Sequence, residues 1–125
     1  GHTGPFIQYT FARINSLLGK SGSLKTHSIE EMSGWKMAAE ERTVIKMLHQ
    51  FPAALHEAAT ELEPSSIANH TYELVKAYNG FYQTLPVLKE EDPLKRDCRL
   101  HLSSAVAKNV KKAMWCLGIE VPERM

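Results

Sequence analysis

Residues 93–117 read PLKRDCRLHLSSAVAKNVKKAMWCL, and the apolar positions in this stretch recur every three or four residues. That spacing is typical of a helix that buries one face. The apolar positions are Leu94, Cys98, Leu102, Ala105, Val106, Val110, Ala113 and Leu117. Asp92 can cap the amide groups of a first turn, and Pro93 suits the first helical position. The pattern therefore predicts a long helix that begins at Asp92-Pro93 and runs to Leu117.

The same period predicts four more helices earlier in the chain, separated by proline and serine signals. Their predicted ranges are about 5–20, 38–51, 52–62 and 66–85. Between the first two, residues 19–37 carry three glycines and four serines without a sustained period. This composition predicts a long loop, in which Met32 and Trp35 are candidate anchor points. No stretch reads as a strand, so the sequence predicts an all-α, five-helix bundle with a long Gly/Ser-rich loop after the first helix.

Length and composition indicate one globular domain. A chain of 125 residues can bury a sizeable core, and we expect residues 1–125 to form a single domain. Neither a run of about 20 apolar residues nor an N-terminal signal segment is present, so we expect a cytoplasmic protein without a membrane partner. The formal net charge is only +1, which means that any contact with RNA must come from local patches.

The motifs of several enzyme classes are missing from the sequence. It has no Gly-rich phosphate loop, no nucleophile elbow and no Cys-x-x-Cys pair. The six histidines show no spacing that would place two imidazoles on one helical face, which argues against a zinc site. We therefore predict no catalytic residue and no metal ligand within this chain.

The first predicted helix carries a row of side chains that suit RNA. Tyr9, Arg13, Ser16 and Lys20 are spaced by four, three and four residues, opposite the apolar stripe of that helix. Tyrosine can stack on an unpaired base, arginine can pair with phosphate or stack, and lysine can screen the backbone. An ordinary solvated face with a tyrosine lying along it is the alternative, and on spacing alone it is the commoner one.

The fourth and fifth predicted helices contain two further candidates. Asn79 and Tyr82 are three residues apart, so an amide that can read a base edge lies beside a ring that can stack. Packing at the edge of the core explains the pair equally well. The fifth helix carries a basic run that is either a solvated face or a phosphate track: Lys95, Arg96, Arg99, Lys108, Lys111 and Lys112.

Several segments together resemble the C-terminal anticodon-binding domain, of the DALR type, of class I arginyl-tRNA synthetases, and the tail and loop look bacterial. Residues 4–13, GPFIQYTFAR, are similar to the family's GPYLQYAHAR run, and residues 67–74, IANHTYEL, to its IANYLYEL run. Residues 77–82, AYNGFY, with PVL at 86–88, resemble its AFNxFY…PVL run, and the LGIEVPERM tail at 117–125 completes the set.

This resemblance implies a module that grips the anticodon stem and loop of tRNA-Arg. Its implied tRNA contacts fall on Tyr9, Arg13, Tyr82 and Met125, more weakly on Gln8 and Asn79, with Lys20 nearby for phosphate. The family's HIGH-like and KMSKS-like ATP motifs are absent here. We therefore expect a C-terminal part of a longer synthetase that needs no cofactor itself. ATP and magnesium would bind in a catalytic domain of the same chain, before residue 1, and no DNA partner is expected.

A stand-alone helical interaction domain is the competing hypothesis. In that case the loop around Met32 and Trp35, together with the basic fifth helix, would dock a protein partner. The reading frame upstream of Gly1 separates the two, because a long α/β sequence with HIGH-like residues is expected only for a synthetase.

Overall fold

The computed structural model describes residues 3–118, and every regular element in that range is helical. The helices are α1 (Thr3–Ser21), α2 (Ile29–Met32), α3 (Ala39–His49), α4 (Phe51–Glu61), α5 (Ser65–Thr84) and α6 (Pro93–Cys116). The prediction of an all-α fold with five main helices is confirmed. The short α2 adds one turn between the first and second of them. No helix within 3–118 is both long and apolar enough to cross a membrane.

Helix α5 lies at the centre of the bundle and packs against α1, α3, α4 and α6. It carries buried residues from Ile67 to Phe81 because apolar side chains recur on more than one face. Leu74, Val75, Tyr78 and Phe81 have no exposed surface. At roughly 1.5–3 kcal/mol for each large apolar side chain, this row is a major source of stability. The neighbouring helices are thereby fixed around α5.

The start of α6 follows a local signal in the sequence, whereas the end of α4 does not. The Asp92 carboxylate accepts a hydrogen bond from the Leu94 N–H at 3.0 Å, with Pro93 in the first turn of α6. At the end of α4, Leu62 adopts a left-handed conformation with φ of 53°, and the Glu63 N–H then reaches the Ala58 carbonyl at 3.0 Å. A leucine in this conformation is strained relative to glycine, since its Cβ crowds the backbone.

The loop between α1 and α3 is attached to α6 by polar contacts. The His27 ring lies 2.8 Å from the Asp97 carboxylate and 3.0 Å from that of Glu31. The two carboxylates, Glu31 first, raise the pKa of His27 because both favour the protonated ring. Further along, the Nε2 atom of His101 lies 2.6 Å from the carbonyl of Lys25.

A buried ionic cluster joins α3, α6 and the segment that precedes α6. Arg99 is only 4% exposed and donates to the carboxylates of Glu41 at 3.2 Å and Glu90 at 2.8 Å. Glu41 also accepts from the indole N–H of Trp35 at 3.1 Å. The assignment of Arg99 to a solvated basic face was therefore wrong, since the side chain lies on the buried side of α6. Trp35 is half-buried and belongs to the same cluster, as expected for an anchor point of the loop.

Candidate nucleic-acid interface

An open concavity of about 990 Å³ lies along α1, beside the C-terminal half of α5. The side chains that matter for its chemistry are Tyr9, Arg13, Ser16, Lys20, Tyr82 and Leu88. The first four come from the predicted row on α1, and Tyr82 comes from α5. The structure thus places the row on α1 next to Tyr82, which the sequence analysis considers as a separate candidate.

Arg13 is the centre of this surface. Its guanidinium carbon lies 4.5 Å from the centroid of the Tyr82 ring and 5.0 Å from that of Tyr9. Such contacts between a cation and an aromatic ring contribute about 0.5–1 kcal/mol each at exposed sites. Arg13 also donates from Nη2 to the Tyr9 hydroxyl at 3.0 Å. The side chain is therefore held against two rings instead of extending into solvent.

The Tyr9 ring remains available to a ligand. Tyr9 is 49% exposed although its hydroxyl accepts from Arg13. Tyr82 is half-buried, because its ring also packs against Tyr78 with a centroid separation of 6.2 Å. Of the two rings, Tyr9 therefore offers the larger free area for stacking on a base.

Asn79 packs at the edge of the core, which is one of the two interpretations that the sequence left open. It is 8% exposed, and its Nδ2 atom donates to the Thr10 hydroxyl and to the Val75 carbonyl, both at 2.8 Å. Its Oδ1 atom accepts from Nη1 of Arg13 at 2.7 Å. Both amide N–H groups are thus committed inside the protein, and the carbonyl oxygen is held by Arg13. No amide donor of Asn79 therefore remains free for a base edge in this arrangement, and a contact of Asn79 with RNA stays a prediction.

The remaining predicted residues lie in different places. Ser16 and Lys20 are exposed and line the concavity as expected from their spacing. Gln8 is half-buried on α1 and is not among the residues that line it. Met125 lies outside the described residues. The contacts of these side chains with RNA stay predictions.

Two contributors were missed by reasoning from the sequence. Leu88, 39% exposed, adds an apolar side chain to the concavity from the segment after α5. Thr10 is fully buried and supports Asn79. A signal for Thr10 was present, because it lies three residues after Ile7 and four before Ile14, on the apolar side of the helix. Nothing in the sequence pairs it with Asn79.

The charge of the concavity is positive. Within the described part of the chain, its lining contains Arg13 and Lys20 and no carboxylate. On α6, Lys108, Lys111 and Lys112 are exposed as predicted for a solvated basic face. A cationic concavity with an accessible aromatic ring favours a ligand that is both anionic and aromatic, as single-stranded nucleic acid is.

Comparisons with known proteins agree with this chemistry. A family model described as the DALR anticodon binding domain matches residues 7–125. The arginine–tRNA ligase of Flavobacterium psychrophilum is 46% identical over 125 residues, covering all of this chain and 20% of that protein. The arginine–tRNA ligase of Phocaeicola vulgatus is 47% identical over 126 residues, covering all of this chain and 21% of that protein.

A solved structure shows that the similarity includes the fold. The arginyl-tRNA synthetase of Thermus thermophilus superposes with a TM-score of 0.87 at 30% identity, covering 100% of this chain and 21% of that one. The chain thus spans about a fifth of the length of the relatives that it matches.

Proposed function

This chain belongs to the DALR anticodon binding domain family, and we propose that it recognises the anticodon stem and loop of an arginine-accepting tRNA. The supporting observation is the cluster in which Arg13 contacts Tyr9 and Tyr82 in a concavity lined by cations and no acid within residues 3–118. Unpaired bases of a loop can stack on Tyr9, while Arg13 and Lys20 meet acceptor or phosphate oxygens.

The relatives support a proposal for the activity of the whole protein. They are arginine–tRNA ligases of which this chain covers about a fifth, so we propose that the parent protein joins arginine to tRNA. Its catalytic domain would precede residue 1 in the same polypeptide and would bind ATP and magnesium. We also propose a cytoplasmic location, which fits the free thiols of Cys98 and Cys116.

Binding of tRNA by the full-length protein tests this function. Tyr9→Ala should weaken affinity for an arginine-accepting tRNA by about 1–3 kcal/mol if a base stacks on the ring. Arg13→Ala should weaken it as well and should lower the salt dependence by about one phosphate contact if the guanidinium meets the backbone. Both are measured by titration at several salt concentrations.

Lys76→Ala is the matched control for charge. Lys76 is exposed on α5 and is not among the residues that line the concavity. Its loss changes the net charge by the same amount as Arg13→Ala, so a general electrostatic effect would appear in both variants. Unchanged tRNA affinity in Tyr9→Ala and Arg13→Ala, with helicity intact by circular dichroism, would refute the proposed interface.

A further inference from the structure

We propose that Asn79, supported by Thr10, is a positioning residue that presents the Arg13 guanidinium to RNA without touching the RNA itself. This inference rests on the proposed function, since it concerns how that same surface is prepared for its ligand. It replaces a direct contact of Asn79 with an indirect role.

The orientation of the Asn79 amide is fixed from three sides. The two N–H groups of Nδ2 donate to Thr10 Oγ1 on α1 and to the Val75 carbonyl on α5, each at 2.8 Å. The Thr10 hydroxyl in turn donates to the Phe6 carbonyl at 2.9 Å, so its own direction is set. Rotation of the amide would break both donor contacts in a buried environment, which is costly. Oδ1 is therefore aimed at Arg13.

The consequence for Arg13 is a loss of freedom before any ligand arrives. An arginine side chain loses rotamer entropy when it is fixed, and a binding site that orders it in advance avoids that cost on association. Of its five N–H donors, Asn79 takes one and the Tyr9 hydroxyl takes one, which leaves three for an acceptor. The guanidinium is thus oriented and still able to bind.

The chain offers a matched pair of threonines for the test. Thr10 and Thr71 are both fully buried in helices and both donate to the carbonyl four residues earlier, Thr10 at 2.9 Å and Thr71 at 2.7 Å. Only Thr10 accepts from Asn79. The changes Thr10→Val and Thr71→Val therefore remove the same local hydrogen bond, but only the first disturbs the support of Arg13.

The first measurement needs no RNA. In the 125-residue chain, rotation of the Arg13 guanidinium is followed by ¹⁵N NMR of the arginine side chains. We expect slow rotation in wild type and Thr71→Val, with faster rotation in Asn79→Ala and Thr10→Val. An unchanged Arg13 signal in Asn79→Ala would overturn the inference even if RNA binding proves correct.

The second measurement is a double-mutant cycle on tRNA affinity of the full-length protein. Asn79→Ala should weaken binding about fivefold to tenfold when Arg13 is present and less than about twofold in the Arg13→Ala background, a coupling in the range found for residues in contact. Equal losses in both backgrounds would indicate a direct contact or a general defect and would overturn the positioning role.

The outcomes separate the two proposals. If Tyr9→Ala and Arg13→Ala weaken binding but the cycle shows no coupling, only the positioning role fails. If neither single variant changes affinity, the proposed interface fails and the positioning role fails with it. Should Asn79→Ala not fold, Thr10→Val takes its place in the cycle, with Thr71→Val expected to bind like wild type.

Discussion

Replacement of Arg99 by methionine should destabilise the fold strongly, because it removes the cation from a buried ionic cluster. Arg99 donates from Nε to Glu41 at 3.2 Å and from Nη1 to Glu90 at 2.8 Å and to the Pro86 carbonyl at 2.7 Å. Methionine has a similar length but no donor. The Glu41 carboxylate, which has no exposed surface, would keep only the N–H groups of Ala38 and Trp35.

The size of the effect follows from the burial of the partner. Leaving one charge of a buried pair uncompensated costs about 3–5 kcal/mol. Glu90 is more accessible than Glu41, so most of that cost falls on Glu41. With an assumed urea m-value of about 1.5 kcal/mol/M, the midpoint of unfolding should fall by about 2–3 M. Equilibrium urea unfolding followed by circular dichroism measures the shift directly.

A control and a rescue complete this test. Lys108→Met likewise replaces a cation by methionine, at an exposed position of α6, and should alter stability by no more than about 0.5 kcal/mol. The double variant Arg99→Met/Glu41→Leu removes both charges and should recover part of the loss, since apolar replacement of a buried pair is often tolerated. A midpoint shift for Arg99→Met no larger than that of Lys108→Met would refute the reasoning.

Three further outcomes are expected. The pKa of His27 is raised in the folded protein by Glu31 and Asp97, so its contribution to stability is complete below pH 6.5 and disappears as the pH rises through the folded pKa. The difference in melting temperature between wild type and His27→Gln should therefore shrink from pH 5.5 to pH 9, whereas a difference that grows would contradict the linkage. The purified 125-residue chain should not catalyse arginine-dependent exchange of pyrophosphate into ATP, and measurable exchange would place catalytic groups within it. Deletion of Met125, which lies outside the described residues, should reduce tRNA affinity of the full-length protein with little change in melting temperature; a lower melting temperature with unchanged affinity would indicate a packing role.

The helices were predictable because their signals are local. Asp92-Pro93 starts α6 as the capping chemistry predicts, and the row from Tyr9 to Lys20 shares one face because helical spacing requires it. The same reasoning placed Ala105 in the core, yet it is exposed. A small side chain at the edge of an apolar stripe is a weak signal, since it loses little by facing water.

The polar interior could not be predicted in the same way. Glu41 and Arg99 are 58 positions apart, and Arg13 and Asn79 are 66 apart, so neither pair leaves a local pattern. A charged residue in an amphipathic helix is assigned to the solvent side unless its partner is known. Arg99 lies three residues before Leu102 and seven before Val106, on the apolar side of α6. That position was the sequence signal that Arg99 is buried.

A comparison of the two arginines explains why their partners differ. Arg99 is paired with two carboxylates, so its charge is neutralised inside the protein and serves the fold. Arg13 is held by an amide oxygen and a phenol hydroxyl, and its contacts within residues 3–118 include no carboxylate. Neutral partners fix the direction of a guanidinium but leave its positive charge uncompensated. A carboxylate in place of Asn79 would pair with the Arg13 charge and would cancel its attraction for a phosphate. A neutral amide is therefore the partner expected for an arginine whose positive charge must stay uncompensated until an anionic ligand binds.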